Sequence, residues 1–112
     1  TGFSKGCIDI DDTGTNATFH SVFLSCPKAF DDDADGVAAA KFAAGTNNTA
    51  NGTSTLTGVF INGANESAVP AYGNLAGAHP FFQNVSYIGA VKDANDTWYQ
   101  GWTCGMPGGP AC

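Results

Sequence analysis

Four cysteines in a chain of 112 residues limit most strongly what this sequence can fold into. A domain of this length buries only a modest apolar core, and small extracellular domains commonly add disulfides to stabilise it. The cysteines are Cys7, Cys26, Cys104 and Cys112, and they form neither a CxxC pair nor a CxxCH motif. This spacing favours two disulfides over a zinc, redox or haem site, and it predicts an extracellular or outer-surface location.

The charge of the chain excludes several classes of partner. Ten acidic residues stand against four lysines and no arginine, which gives a formal net charge of −6. Nucleic acids and anionic membranes bind basic surfaces, so neither is an expected partner. No apolar run approaches the roughly 18 to 20 residues of a membrane span. Cations and neutral glycans fit this charge better.

Hydrophobic patterning predicts a mainly β chain with one short helix. Strands are expected at residues 5–10, 17–26, 55–61 and 85–91, and the helix at residues 36–44. The strand segments contain aromatic and β-branched residues, whereas the helix is rich in alanine and ends at Gly45. The segments between the strands are longer than hairpin turns, which allows either a degenerate parallel solenoid or a small antiparallel sandwich.

The tail is the most distinctive segment. It reads FFQNVSYIGAVKDANDTWYQGWTCG over residues 81–105, and further matching segments lie at residues 7–11, 19–26, 52–57 and 60–66. These segments resemble large secreted or lipoprotein-type bacterial proteins that are predicted to be parallel β-helices, a family without an established activity. The resemblance implies that Thr1 is an internal start within a longer protein.

This resemblance favours the solenoid over the sandwich. We expect the C-terminal part of a parallel β-helix, a single module in which residues 1–80 form degenerate rungs and loops. Residues 81–112 would then form a C-terminal cap that a disulfide staples. The aromatic residues of this cap are Phe81, Phe82, Trp98, Tyr99 and Trp102.

Trp98, Tyr99 and Trp102 have an alternative interpretation as a platform on which a sugar ring stacks. Their position beside Cys104 and the chain end favours the cap, because every stacked architecture needs a closed end.

The predicted strands also suggest the disulfide pairing. Cys7 and Cys26 lie on adjacent strands, whose facing positions match the roughly 5.5 Å Cα separation that a disulfide needs. Cys104 and Cys112 close a short loop rich in glycine and proline and would staple the chain end.

An acidic run, DDDADG at residues 31–36, is the clearest signal for a metal. Asp31, Asp33 and Asp35 would place three carboxylates on one side of a tight loop, which suits the oxygen coordination of Ca²⁺. The alternative is a solvated acidic loop that caps the following helix. The expected cofactor is therefore a structural calcium ion, or none.

Other motifs do not predict catalysis. The segment DTGT at residues 12–15 matches the signature of aspartic proteases, but its acidic surroundings are typical of an exposed turn. His20 and His79 have no nearby nucleophile pattern such as GxSxG and are expected to be packing or surface residues.

Six Asn-X-Ser/Thr sequons also occur. They would mark glycosylation in a eukaryotic or archaeal secreted protein and polar loops in a bacterial one. The sequons begin at Asn16, Asn47, Asn51, Asn65, Asn84 and Asn95.

Together these features predict an extracellular structural or adhesive surface protein that is not an enzyme. The uncapped end at residues 1–6 suggests that its partners are upstream rungs of the same protein or copies of itself in a filament or surface layer. The alternative is a carbohydrate-binding or polysaccharide-active β-helix module whose active site lies upstream.

Overall fold

Regular secondary structure is sparse in this protein. The computed structural model describes residues 5–31, 35–58, 60–106 and 109–112. Along the chain lie the strands β1 (Ile8–Asp9) and β2 (Phe30–Asp31) and the helices α1 (Val37–Ala44), α2 (Ala64–Ser67) and α3 (Leu75–Ala78). The remaining described residues run as turns and extended segments, so hydrogen bonds outside helices and strands do much of the positioning.

The two strands form a short parallel ladder, in which Ile8 faces Phe30 and Asp9 faces Asp31. The ladder extends one residue towards the N-terminus, because the N–H of Cys7 donates to the carbonyl of Lys28 at 3.1 Å. The strand predicted at residues 5–10 is therefore present in a shorter form.

The Cys7–Cys26 disulfide lies at the start of this ladder, with 6.3 Å between the two Cα atoms. The predicted pairing is confirmed, although the reason differs from the one expected. Cys26 belongs to no strand; it precedes β2 by a few residues, and the pairing of β2 with β1 brings it beside Cys7. The second predicted disulfide, Cys104–Cys112, is also present, with 4.9 Å between its Cα atoms.

Helix α1 confirms the helix predicted from the alanine-rich segment and supplies the aromatic centre of the molecule. Ala38 and Phe42 form its buried face. The Phe42 ring packs 5.7 Å from the Phe19 ring and 5.2 Å from the Phe30 ring, measured between centroids. The helix ends at Gly45, where a side chain would collide with the carbonyl oxygen of Phe19. Glycine is therefore required for this close approach.

The strand predicted at residues 17–26 is reduced to two isolated parallel bridges, His20 with Thr46 and Phe23 with Thr49. Between the bridges, Ser21 and Asn47 both adopt left-handed backbone conformations with φ of 57°. A left-handed residue turns the chain out of the extended conformation, so the ladder is interrupted at the same level on both segments.

Asn48 fills this interruption with three hydrogen bonds to backbone groups. Its Oδ1 accepts the N–H of Val22 at 3.0 Å. Its Nδ2 donates to the carbonyls of Phe19 at 2.8 Å and Phe42 at 2.9 Å. One side chain thus joins the end of α1 to the segment that contains Phe19 and Val22.

The prediction of a parallel β-helix is wrong. Among the residues that the structure describes, parallel pairing is limited to the β1–β2 ladder and the two bridges, and the sheet does not close. The strand predicted at residues 55–61 folds back on itself, since Thr57 and Ile61 form an antiparallel bridge. The strand predicted at residues 85–91 contains bends instead of a ladder, so the described chain has no stack of rungs.

The apolar core is thin. Its buried members are Ile10, Ala29, Ala38, Phe42, Val69, Val91 and Tyr99. Within residues 5–31, 35–58, 60–106 and 109–112, no large side chain is completely buried. The radius of gyration is 16.1 Å, compared with about 13 Å for a compact domain of 100 residues. Hydrophobic burial is therefore a smaller source of stability here than in most domains of this length.

Glu66, the only glutamate of the sequence, is buried. Its carboxylate holds neighbouring segments together through hydrogen bonds. Its Oε1 accepts the N–H of Thr55 at 2.8 Å, and its Oε2 accepts the Thr55 hydroxyl at 2.6 Å. Oε2 also accepts the N–H of Gly63 at 3.2 Å, at the start of α2. Burial raises the pKa of Glu66, but these donated hydrogen bonds outweigh it and lower the pKa to about 2.

Glu66→Gln is expected to lower the melting temperature at pH 7, because an amide cannot accept all three hydrogen bonds. The folded-state pKa lies below the ordinary value of 4.5, so the stability that Glu66 provides is present above that value. It is lost as the pH falls towards 2. The difference in melting temperature between wild type and variant should therefore narrow over this range. Asp9→Asn, at an exposed carboxylate, is the control, and an unchanged difference down to pH 2 would contradict this role.

Removal of the two disulfides should have different consequences. Cys7→Ala with Cys26→Ala releases a loop of 19 residues and is expected to lower the free energy of unfolding by about 3 kcal/mol. Hydrogen exchange should then increase throughout β1 and β2. Cys104→Ala with Cys112→Ala should increase exchange only after Tyr99, because this disulfide spans only 8 residues and joins no residue of either strand of the ladder. Equal exchange patterns in the two variants would refute this assignment.

Candidate functional site

Two exposed tryptophans near the C-terminus, Trp98 and Trp102, form the most distinctive surface of the molecule. Their ring centroids lie 5.4 Å apart and their planes are inclined by 49°. Trp98 is 50% exposed and Trp102 is 71% exposed. We call these two residues the tryptophan pair.

Hydrogen bonds hold both rings of the tryptophan pair in place. The indole N–H of Trp98 donates to the carbonyl of Ala90 at 2.8 Å. The indole N–H of Trp102 donates to the carbonyl of Trp98 at 2.7 Å. The polar edge of each ring is thus satisfied by the backbone, while a large part of its apolar surface remains in contact with solvent.

Tyr99 differs from its two neighbours, since only 8% of it is exposed. Its ring meets the Trp98 ring edge-on at 6.2 Å and an angle of 85°. The Thr103 hydroxyl donates to the Tyr99 carbonyl at 2.6 Å. Gly101, with φ of 91°, supplies the left-handed turn between the tryptophans. Tyr99 therefore anchors the segment and is not part of an exposed platform.

Polar groups fix the segment that precedes the tryptophan pair. The carboxylate of Asp96 accepts the N–H of Lys92 at 2.9 Å, and that of Asp93 accepts the N–H of Asn95 at 2.8 Å. The N–H of Gln100 donates to the carbonyl of Thr97 at 2.9 Å. These local bonds order a segment that has no helix or strand.

A groove of about 380 Å³ adjoins the segment at Ala90, the residue whose carbonyl binds Trp98. Its lining combines apolar groups with hydroxyl and amide groups and with the Glu66 carboxylate, a mixture that is usual for a small-molecule site. The apolar lining residues are Val22, Phe23, Leu56, Phe60 and Ile88, and the polar ones include Ser21, Ser25, Ser54 and Asn62.

The expected aromatic cap is not formed. Phe81 is 81% exposed and Phe82 is 48% exposed, and their rings contact each other edge-on at 5.4 Å. Because the tryptophan pair is also exposed, Tyr99 alone among the predicted cap aromatics is buried. A cap would cover the open end of a β-helix, and the described residues form no β-helix for these rings to cover.

Of the three aspartates predicted to bind calcium, Asp31 and Asp35 are among the described residues, whereas Asp33 lies outside them. Asp31 is buried and forms ion pairs with Lys28 and with Lys5, the latter at 3.1 Å. Hydrogen bonds from Lys28 and then Lys5 hold the pKa of Asp31 below its usual value. Asp35 accepts the N–H of Val37 at 3.1 Å, at the start of α1.

Asp35 lies one residue before the N-cap position, Gly36, and its carboxylate binds the first N–H of α1, which partly matches the capping alternative. The ion pairs give Asp31 a structural role. Within the described part of the chain, no group of three or more His, Cys, Asp or Glu side chains is arranged to hold a metal ion. Calcium at Asp31, Asp33 and Asp35 remains a prediction, and it would require Asp31 to exchange its lysine partners for the ion.

The remaining sequence motifs have structural roles. Asp12 is exposed and accepts the N–H of Gly14 at 2.6 Å, as in an ordinary turn. His20 stacks on Tyr72 with 4.4 Å between ring centroids. His79 is exposed and meets the Phe82 ring edge-on at 6.4 Å.

Two features of the site were missed from the sequence. The carbonyl of Ala90 is a backbone group, and the sequence carries no signal that it binds Trp98. The separation of Tyr99 from the tryptophan pair also went unnoticed, although Gly101 after Gln100 indicates a turn that divides the segment.

Comparison with protein-family models, with curated proteins and with solved structures gives no match for this chain. The resemblance to large bacterial β-helical proteins therefore remains a prediction. The two disulfides are compatible with an extracellular protein. Among the described residues, no helix has the length and apolar character needed to cross a membrane.

Proposed function

We propose that this chain is a non-catalytic extracellular module with an adhesive role, which binds neutral glycans through Trp98 and Trp102. The observation that carries the proposal is that both rings are exposed and yet held by hydrogen bonds to the backbone. A ring that is already fixed loses little conformational entropy when a ligand binds to it.

The chemistry of an exposed indole favours a sugar as the ligand. The apolar C–H groups on one side of a pyranose ring pack against an aromatic face, while the sugar hydroxyls remain available for hydrogen bonds. Exposed Gln100 and the polar lining of the adjoining groove offer such bonds. The formal net charge of −6 disfavours anionic polysaccharides, so the ligand is expected to be neutral.

The geometry of the pair also restricts the form of the glycan. Two rings inclined by 49° do not provide one flat surface. They suit a soluble, twisted or branched oligosaccharide, whose successive units face different directions. A flat crystalline polysaccharide would contact only one ring at a time.

Binding to a panel of soluble neutral oligosaccharides, followed by titration calorimetry of those that bind, tests the proposal. Trp98→Ala and Trp102→Ala should each cost about 2 kcal/mol, roughly thirtyfold in Kd. Phe81→Ala is the control, because the Phe81 ring is even more exposed, at 81%, but has no anchoring hydrogen bond. Equal losses in all three variants, or binding that survives without both tryptophans, would contradict the proposal.

A second candidate function is self-association, which the exposed Phe81 and Phe82 favour. Their rings are large apolar surfaces in contact with solvent, and such surfaces commonly mark protein–protein contacts. The end at residues 1–6, where assembly was first expected, lies mostly outside the described residues. The phenylalanine pair therefore offers the better-described contact surface.

Sedimentation at micromolar concentration tests self-association. Wild type is expected to sediment faster than a particle of 11.4 kDa, and Phe81→Ser with Phe82→Ser should restore the monomer. Trp102→Ala should leave the association unchanged. A wild-type protein that remains a stable monomer would exclude this candidate and leave glycan binding as the proposed function.

A further inference from the structure

Sequons are more frequent in this chain than its composition explains. Serine and threonine make up 17 of the 112 residues. At this frequency of serine and threonine, chance would place one of them two residues after about one or two of the nine asparagines. Six of them do. The excess requires an explanation beyond a polar composition.

The structure places all six of these asparagines at exposed positions. Asn16, Asn47, Asn51 and Asn95 form no side-chain hydrogen bond with the residues that the structure describes. Their amide nitrogens are thus accessible and uncommitted. The other two sequon asparagines are exposed but bonded: Nδ2 of Asn65 donates to the carbonyl of Thr53, and Oδ1 of Asn84 accepts the N–H of Ala76.

Asparagines outside sequons provide an internal comparison. Asn48 and Asn62 are half-buried, and each uses its side-chain amide to bind backbone groups of a distant segment. Asn62 donates to the carbonyl of Ile88 at 2.8 Å. Asn48 and Asn62, which join distant segments, therefore lie outside sequons, whereas the four sequon asparagines named above have uncommitted amides. The ninth asparagine, Asn74, is exposed and also lies outside a sequon.

We propose that Asn16, Asn47, Asn51 and Asn95 carry N-linked oligosaccharides. The required donor is a lipid-linked diphosphate oligosaccharide, and the catalyst is an oligosaccharyl transferase of the secretion route. Nδ2 forms a bond to the anomeric carbon of the sugar and loses one proton. The bond between that carbon and the phosphate oxygen breaks, and the lipid diphosphate leaves with the electron pair.

Attachment at these positions is compatible with the fold. Asn47 and Asn51 lie on either side of the bridge at Thr49, Asn16 follows the turn at residues 12–15, and Asn95 lies in a turn. Because all four side chains are exposed, a glycan at each site projects into solvent without displacing a core residue. Hydrophilic chains at four places would also shield a molecule whose apolar core is thin.

The test uses the native protein, purified from the cells that make it. Its intact mass is measured before and after enzymatic release of N-glycans in heavy-oxygen water, which converts each occupied asparagine into a labelled aspartate. We expect label at all four positions. A native mass equal to that of the bare chain overturns the proposal, and an unlabelled Asn16, Asn47, Asn51 or Asn95 overturns it for that site.

A matched pair of variants separates glycosylation from spontaneous deamidation, which also yields aspartate. Thr97→Ala removes the sequon of Asn95 and should lower the native mass by one glycan. Thr97→Ser keeps the sequon and should leave the mass of the attached glycans unchanged. Equal glycan content in the two variants would show that Asn95 is not modified through its sequon.

Discussion

The side-chain amide of Asn48 is the interaction on which the arrangement of the chain most depends. It binds three backbone groups, of Phe19, Val22 and Phe42, at the level where two left-handed residues interrupt the parallel pairing. Without these bonds, the half-buried C=O of Phe19 and N–H of Val22 would lack partners, which costs more than the bonds themselves contribute. Asn48 thus joins the end of α1 to the segment beside it at the level that the two parallel bridges leave unpaired.

Polar and covalent links also hold together other parts of the described chain. Hydrogen bonds to Glu66 connect Thr55 to the start of α2. Asp31 forms ion pairs with Lys28 and Lys5. The Cys7–Cys26 disulfide lies at the start of the parallel ladder. Polar and covalent links replace much of the hydrophobic burial that a larger core would supply. Large aromatic side chains are consequently free to lie on the surface, where they are available for recognition.

Part of this structure was predictable from the sequence. The alanine-rich run before Gly45 gives α1 because helix propensity and the glycine stop act locally. The Cys104–Cys112 disulfide was predictable from its short loop at the chain end. The Cys7–Cys26 pairing was predicted from two adjacent strands, and it is present although Cys26 lies in no strand. The alternative to calcium, an acidic residue that binds the start of α1, is met in part: Asp35 accepts the N–H of Val37, although the N-cap position itself is Gly36.

The parallel solenoid and its cap were wrong for a physical reason. Strand propensity at residues 17–26 and 85–91 does not reveal a residue such as Ser21, whose left-handed conformation is set by bonds from a distant segment. Tertiary context overrides local preference in such cases. The sequence allows Trp98 and Trp102 to be either a sugar-stacking platform or part of a cap. Only their exposure and hydrogen bonds in the structure distinguish the two interpretations.

Tryptophan fluorescence tests the central claim most directly, because Trp98 and Trp102 are the only tryptophans of the chain. The account predicts that the native protein emits close to the wavelength of tryptophan in water and is quenched readily by acrylamide. Near-ultraviolet circular dichroism should nevertheless show a strong signal, since two rings at 5.4 Å are held in a fixed chiral arrangement. Emission shifted to shorter wavelength with protection from acrylamide would mean that the pair is buried in a cap, and the proposed binding surface would not exist.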